Sequence, residues 1–451
     1  MKRYFPSSQF FSISFFTLLS KIFGFMREWF RALFFGVGER SDIFLMAYRM
    51  PFFFYKMCSE GPLSAALVPF VVDMNRQEER TYMMQVITCS MIIVQTFFLI
   101  VSVVVIIFSS KLSYFLVPGW KNINSVLEVS SLVPVLMSSM IFMSAACYLS
   151  SVLQGLSVFS AILMQPIVFN ILTIIEYGVC WYFNASLMTL ALCYLLNSII
   201  IFGITWLLFR KYYSFEWNFT RSTIKRSLEL IKNIASSCVT IGINEINAII
   251  DLQYASFFGS GVVSLMSYSG LLLRLPLSIF GAGISMVLLP EFSLIKHDKK
   301  LLGHYIYKSS KILLASILPV ILVMYALAPF LFSLVFRFSE SHCILAARFL
   351  RFSLVGLFFF CLNRMLLNVF YALGIFDIPF YISCIAIIIN IILNNILISY
   401  FGASGIILAT SISAIIQSCL LIVSLRQHKI IIKKWYYYQP SLGSTFAPYG
   451  L

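Results

Sequence analysis

Long apolar runs, interrupted at intervals by glycine, proline and clusters of lysine and arginine, make up almost all of this 451-residue chain. Runs such as MIIVQTFFLIVSVVVIIF (91–108) and AIIINIILNNILISYF (386–401) have the length and polarity of helices that cross a hydrocarbon layer needing about 20 residues. The apolar positions run on continuously and do not alternate, so the pattern predicts helices and excludes a membrane β-barrel. Cutting the chain at charge, Gly/Pro and loop signals predicts about twelve spans, over 9–36, 42–72, 84–116, 126–154, 157–183, 185–209, 228–258, 262–294, 306–336, 343–373, 378–400 and 403–425. Several are longer than the bilayer requires, which predicts tilt or extension into water.

Lysine and arginine then orient the spans. The N-terminus (Lys2, Arg3), the loop after span two (Arg76, Arg80), the loop after span six (Arg210, Lys211, Arg221, Lys225, Arg226), the loop after span eight (Lys296, Lys299, Lys300) and the C-terminal tail (Arg426, Lys429, Lys433, Lys434) are basic and fall on one side. Beyond the first loop, the opposite side carries little more than Lys111, Lys121 and Arg337, so the positive-inside rule predicts both termini in the cytoplasm.

The chain also repeats itself. FFGVG (34–38) leads into YRMPFFFYKMCSEGPLSAALVPF (48–70), and FFGSG (257–261) leads into LRLPLSIFGAGISMVLLPEF (273–292). Phe34 to Phe257 is an offset of 223 and Arg49 to Arg274 one of 225, each near half the chain. An even number of spans between the copies makes both halves enter the membrane in the same sense. The expected fold is therefore an all-α polytopic membrane protein with two parallel six-helix lobes around a central cavity, and a substrate site where they meet. The boundaries are 1–209 for the first lobe, 210–227 for a cytoplasmic linker, 228–425 for the second lobe and 426–451 for a basic tail.

Composition narrows the class. The chain is 60% hydrophobic and 11% charged, and its mean hydropathy of +0.94 is far outside the range of soluble domains. A net charge of +15 in so apolar a chain fits cytoplasmic loops and a basic cavity, not nucleic acid. The ten cysteines are scattered singly through apolar segments, and the four histidines form no ligand cluster. The N-terminus has a basic start and an apolar run with no small-residue cleavage site after it, which reads as a retained first span. No G-x-x-x-x-G-K-[ST], nucleophile elbow or H-E-x-x-H is present, so neither an enzyme nor an ATP-driven pump is expected.

Ionisable residues within spans are expensive and usually face a partner or a wet cavity. Lys21 and Arg27 lie six residues apart, under two helical turns, and are expected on one cationic cavity wall suited to an anionic substrate. Lys56 and Glu60 are four apart and can pair, beside a Gly61-Pro62 break that bends the span. Asp42 follows Ser41 at the start of span two and reads either as a structural cap or as a cavity acid. Arg31, Glu39 and Arg40 read as an outer connection. In the second half, Arg274 is the repeat partner of Arg49, Arg364 sits within span ten, and Glu245 and Asp251 lie on span seven. Those carboxylates fit a cation site, a proton relay or a salt bridge across the cavity.

SKIFGFMRE (20–28), FFGVGERSDIFLMAYRMP (34–51) and SEGPLSAALVPF (59–70), in that order, resemble the MurJ (MviN) family of lipid II flippases, within the multidrug/oligosaccharidyl-lipid/polysaccharide exporter superfamily. INEINAIIDLQYASFFGSGVVSLMSYSGLLLRLP (243–276) and LLNVFYALG (366–374) extend the resemblance over essentially the whole chain. It implies a bacterial inner-membrane protein that moves the undecaprenyl-pyrophosphate-linked peptidoglycan precursor between leaflets by alternating access, in membrane lipid. Proteins of wall synthesis or division are the further partners it suggests. Lys21 falls where the family usually has Arg, Arg27 matches its second Arg, and Asp42 and Glu60 match its acidic positions. Lys56 matches one of a basic pair, next to Tyr55. The family's A-D-R in span eight is Ser269-Gly270-Leu271 here, with Arg274 one turn along as the candidate substitute. Asp377 is displaced from the family's pattern, and two further helices found in many members have no counterpart after span twelve.

The resemblance also implies a candidate sodium site formed by Asp251, Asn390, Asn394, Thr410 and the carbonyl of Ile406, with Asn394 standing where a second carboxylate is usual. A polar helix-helix contact is the other reading of the same residues. Export of another polyprenyl-linked saccharide or of a drug, and a scaffold for wall synthesis that does not transport, remain alternatives to lipid II flipping.

Overall fold

The computed structural model describes residues 7–59, 62–76, 79–282, 288, 291–375, 377–428, 430 and 432. The chain folds into α1 (Ser7–Phe35), α2 (Glu39–Ser59), α3 (Pro62–Arg76), α4 (Arg80–Ile107), α5 (Ser109–Leu116), α6 (Ile123–Gly155), α7 (Ser160–Tyr182), α8 (Leu187–Tyr212), α9 (Arg221–Ala255) and α10 (Val262–Pro276). A π-helical turn (Leu277–Ala282) prolongs α10, and α11 (Lys299–Phe336), α12 (Glu340–Ala372), α13 (Asp377–Phe401) and α14 (Ala403–Gln427) follow.

The expected spans fall on helices, with span three (84–116) divided between α4 and α5 and span eight (262–294) described as continuous helix to Ala282. Among the described residues nine helices are long and apolar enough to cross a membrane. The other three expected spans correspond to α1, the α2–α3 pair and α9, which carry the charges singled out above. Span two is covered by α2, described to Ser59, and α3, described from Pro62; the Gly61-Pro62 break itself includes residues outside those described. The connection between the lobes is shorter than the sequence suggests. α8 continues to Tyr212, and Thr220 caps α9 through a reciprocal bond with Thr223, leaving only 213–220 non-helical.

Each lobe is built on one buried helix. In the first, α6 packs against α2, α3, α4 and α8, and small residues let the backbones close up: a Cβ on Gly155 would lie 2.7 Å from Val71 Cβ. In the second, α12 packs against α10, α11 and α14, and a Cβ on Gly356 would lie 2.8 Å from Ser411 Oγ. Helices such as α4 and α11 turn Phe97, Ile100, Leu322 and Phe330 outward, as a lipid-facing surface requires.

The repeated glycine turns meet. Gly261 has a left-handed φ of +89°, and a Cβ there would lie 2.8 Å from Val37 Cγ1 in the other turn. From beside the first turn, Asp42 reaches across the lobes and caps α10, one carboxylate oxygen accepting from Gly261 N at 2.6 Å and the other from Ser264 N at 2.7 Å. The two readings of Asp42 from sequence are thus replaced by a third. α2 already begins at Glu39, so Asp42 caps the other lobe's helix, where the N-terminal N–H groups and the helix dipole favour an anion. Tyr268 adds a hydroxyl contact with Ser41 at 2.9 Å and donates to Gly36 O at 3.0 Å.

This end of the molecule is therefore held shut by a buried acid, and its removal should loosen the lobes. Loss of a capping side chain costs about 1–2 kcal/mol, which corresponds to roughly a 5- to 30-fold change in an opening equilibrium. Asp42→Ala should accelerate, by that factor, labelling of a cysteine placed at buried Val263 with a membrane-impermeant thiol reagent. Equal labelling rates with and without Asp42 would contradict this closure.

Candidate functional site

Midway along the lobe interface, α1, α2, α9 and α10 enclose a small cavity. It is lined by Arg27, Glu28, Arg31, Leu45, Tyr48, Arg49, Phe52, Leu252, Ser267, Leu271 and Arg274. Among the described residues, four arginines face one glutamate. Its volume of about 60 Å³ holds a few water molecules and nothing larger.

The cations are fixed in three different ways. Glu28 is shared: Arg27 Nη2 lies 2.6 Å from one oxygen and Arg31 Nη2 2.6 Å from the other. Arg27 also sits 5.8 Å from the Phe169 ring centroid, and Arg31 5.6 Å from that of Tyr268. Arg49 reaches Glu245 of α9 at 3.0 Å, and Lys56, two turns further along α2, reaches the other oxygen of Glu245 at 2.8 Å. Of the three roles open to Glu245 in the sequence, the salt bridge across the lobes is realised. Arg274, by contrast, is exposed at the cavity wall. Arg49 and Arg274, the repeat-related pair, thus enter the same cavity from opposite lobes, and Arg274 stands beside Leu271, where the family pattern has its arginine. Arg31 Nε and Arg49 Nε are buried and have no hydrogen-bond partner among the described residues.

Several sequence expectations change in detail. Arg31 does not belong to an outer connection, because nothing stops α1 before Gly36, whose φ of +64° ends the helix. The signal was present in the spacing, since Arg31 is i+3 from Glu28 and i+4 from Arg27 on one helix face. Glu39 and Arg40 open α2 just past the 36–38 turn, and both are exposed, Glu39 accepting from Asn122 Nδ2 at 3.0 Å and Arg40 donating to Ala185 O. Asp42 belongs to the closed end and to a crevice of about 390 Å³ beside it, not to the arginine cavity. Lys21 is exposed and does not line that cavity; six residues turn it about 120° around α1 from Arg27. Arg364 is likewise exposed on α12, where a Cβ on Gly281 would lie 3.3 Å from its Cδ. Glu60, and with it the Lys56–Glu60 pair, lies outside the described residues.

A second polar cluster joins α9 to α13 and α14, and it contains every residue of the candidate sodium set. Asp251 accepts from Thr410 Oγ1 at 2.8 Å and from Asn394 Nδ2 at 3.2 Å. Asn394 Nδ2 also donates to Asn390 Oδ1 at 3.0 Å, and Thr410 Oγ1 lies 3.2 Å from the Ile406 carbonyl. Asn394 Oδ1 is buried with no hydrogen-bond partner among the described residues. An orphaned acceptor beside a carboxylate, an amide, a hydroxyl and a carbonyl is an all-oxygen donor set, the kind a hard cation takes.

A family model described as Lipid II flippase MurJ matches residues 31–447. The chain is similar to the probable lipid II flippase MurJ of Buchnera aphidicola subsp. Schizaphis graminum, 26% identical over 441 residues that cover 93% of this chain and 83% of the relative. It is also similar to the lipid II flippase MurJ of Burkholderia cenocepacia, 23% identical over 449 residues covering 96% and 84% of the two chains. Among solved structures, a lipid II flippase MurJ in an inward closed conformation superposes with a TM-score of 0.79 at 22% identity, over 92% of this chain and 87% of that one. An inward-facing multidrug resistance transporter of the MATE family and MOP superfamily superposes at 0.75 and 13% identity, over 91% and 94%. With the fold, the charged lobe interface and a family match over nearly its full length, this chain belongs to the MurJ family.

Proposed function

We propose that this chain is a lipid II flippase of the bacterial cytoplasmic membrane. It carries the undecaprenyl-pyrophosphate-linked peptidoglycan precursor from the inner to the outer leaflet, with both termini in the cytoplasm. The observation that carries this reading is the cavity at the lobe interface, where Arg27, Arg31, Arg49 and Arg274 meet a single lining carboxylate. A pyrophosphate offers several acceptor oxygens and multiple negative charges, and arginine binds such groups through paired, charge-assisted hydrogen bonds. A cationic drug would be repelled by the same wall.

Alternating access follows from how the lobes are joined. The end closed by Asp42 and Tyr268 keeps the cavity from that face, and the cavity is too small for the headgroup in this conformation. Loading therefore requires the lobes to part around α2, α9 and α10, and release requires the Asp42 cap to break. Both steps exchange discrete contacts between packed helices, as a rocking transporter needs.

Sodium is the cation that Asp251, Asn390, Asn394, Thr410 and the Ile406 carbonyl would hold. When bound it would supply a counter-charge to Asp251 and tie α9 to α13 and α14. Excess sodium at a hundred times its Kd should stabilise the purified protein by about 2.7 kcal/mol relative to the same concentration of choline chloride. Asp251→Asn should abolish the difference in thermal midpoint. No sodium-specific shift in the wild type, or its survival in Asp251→Asn, would leave the cluster as a helix-helix contact.

The transport reading is tested by expressing the chain in a bacterium depleted of its own flippase and measuring outer-leaflet lipid II. The wild type should restore it. Arg27→Ala, which removes a charge-assisted contact of about 1.5–3 kcal/mol, should lower it about tenfold or more. A wild-type protein that inserts yet restores nothing would contradict lipid II transport. Full activity of Arg27→Ala would contradict the assignment of the site.

A further inference from the structure

We infer that Glu245 is the resident counter-anion of Arg49 and Lys56 beside the cavity, which the pyrophosphate of the substrate displaces from Arg49, so that loading itself unlocks the lobes. This rests on the reading of the cavity as a pyrophosphate site.

Three observations support it. First, Glu245 is shared, one oxygen to Arg49 at 3.0 Å and the other to Lys56 at 2.8 Å, and its side chain is only 9% exposed. The carboxylate occupies the position a two-oxygen ligand would take against the same cations. Both cations also lie over the Phe52 ring, Arg49 Cζ at 5.6 Å and Lys56 Nζ at 5.3 Å from its centroid, so both are held to one strip of α2. Second, Arg49 also lines the arginine cavity, and its Nε–H has no hydrogen-bond partner among the described residues. Its guanidinium therefore has donor capacity that Glu245 does not use, and an incoming anion can engage it before Glu245 leaves.

Third, the bond crosses the lobes. Arg49 and Lys56 belong to α2, and Glu245 to α9. Near it, Cys238 of α9 contacts the Met57 carbonyl at 3.5 Å, so α2 and α9 are in register along this stretch. Glu245 ties α2 to α9, and both helices line the cavity, so widening it between them for a headgroup requires this bond to break. A buried Arg49 stripped of the Glu245 carboxylate in a low-dielectric interface would be strongly unfavourable. An anion that supplies the missing charge removes that penalty, so parting of the lobes here is coupled to occupancy of the site. Glu245 thus sets a threshold: ligands with one weak charge do not compete with it, and a pyrophosphate does.

The test uses the full chain in lipid nanodiscs, with inorganic pyrophosphate and lipid II as separate probes. Glu245→Gln keeps the shape and removes the charge. It should bind pyrophosphate at least tenfold more tightly than the wild type, and adding Arg49→Ala should cancel the gain. Disulfide cross-linking of Cys238 to a cysteine at Met57 should slow when either probe is added to the wild type, and be slow without ligand in Glu245→Gln. Glu245→Asp, with a shorter reach to both cations, should show a smaller gain in the same direction and serves if Glu245→Gln does not fold. Wild-type binding of pyrophosphate or lipid II with no gain in either variant would overturn this inference alone. Failure of the wild type to bind either probe would overturn the reading of the cavity as well.

Discussion

Arginine loses most of its hydration at a membrane-buried interface, and it is tolerated there only when an anion answers it. The structure around the cavity can be understood from that constraint. Glu28 answers Arg27 and Arg31 within one helix, Glu245 answers Arg49 and Lys56 from the other lobe, and Arg274 remains exposed at the wall. Because the answering groups come from both lobes, the electrostatics of the cavity and the relative position of the lobes are one property. A site with this balance is poised for an anionic ligand and is stable without one.

The internal repeat explains how such a site forms, and its imperfections explain how it can move. Each copy supplies a glycine turn, a helix entering the membrane and an arginine at the matching place, so Arg49 and Arg274 converge. The copies then diverge. Only the first has an acid placed to cap its counterpart, and Asp42 therefore reaches over to α10. The closed end depends on this asymmetric contact and on Tyr268, which donates to the first turn. Further in, α9 is joined to the first lobe through Phe115 and Val86 as well as through Glu245. α9 spans both lobes in its contacts, and its Asp251 cluster links it to α13 and α14.

Much of this was legible from the sequence. Hydropathy located the long apolar helices, since a span is a local property of about 20 residues, but not the division of spans two and three into α2–α3 and α4–α5. The glycine turns and the Arg49–Arg274 correspondence could also be read directly, and the family resemblance grouped the residues of the Asp251 cluster. What could not be read were partners distant in the chain. Arg31 groups by its charge with Glu39 and Arg40, although the first expected span already runs to 36 and no residue before Gly36 breaks the helix. Asp42 carried a local capping signal, but its N–H donors lie on α10. Lys21 was grouped with Arg27 by separation along the helix, where rotation about the axis decided otherwise. Lys56 reaches Glu245 of α9, 189 residues away, a contact that no local spacing could show.

The central claim is that the headgroup of a lipid-linked pyrophosphate occupies the arginine cavity between the lobes. It is tested most directly by placing a photo-crosslinking amino acid at Ser267, on the cavity wall, and at lipid-facing Ile100 as a comparison. After irradiation of membranes supplied with labelled lipid II, the account predicts an adduct at Ser267 that excess unlabelled lipid II abolishes, and none that competes at Ile100. An adduct at Ile100 alone, or equal labelling at both positions, would contradict it.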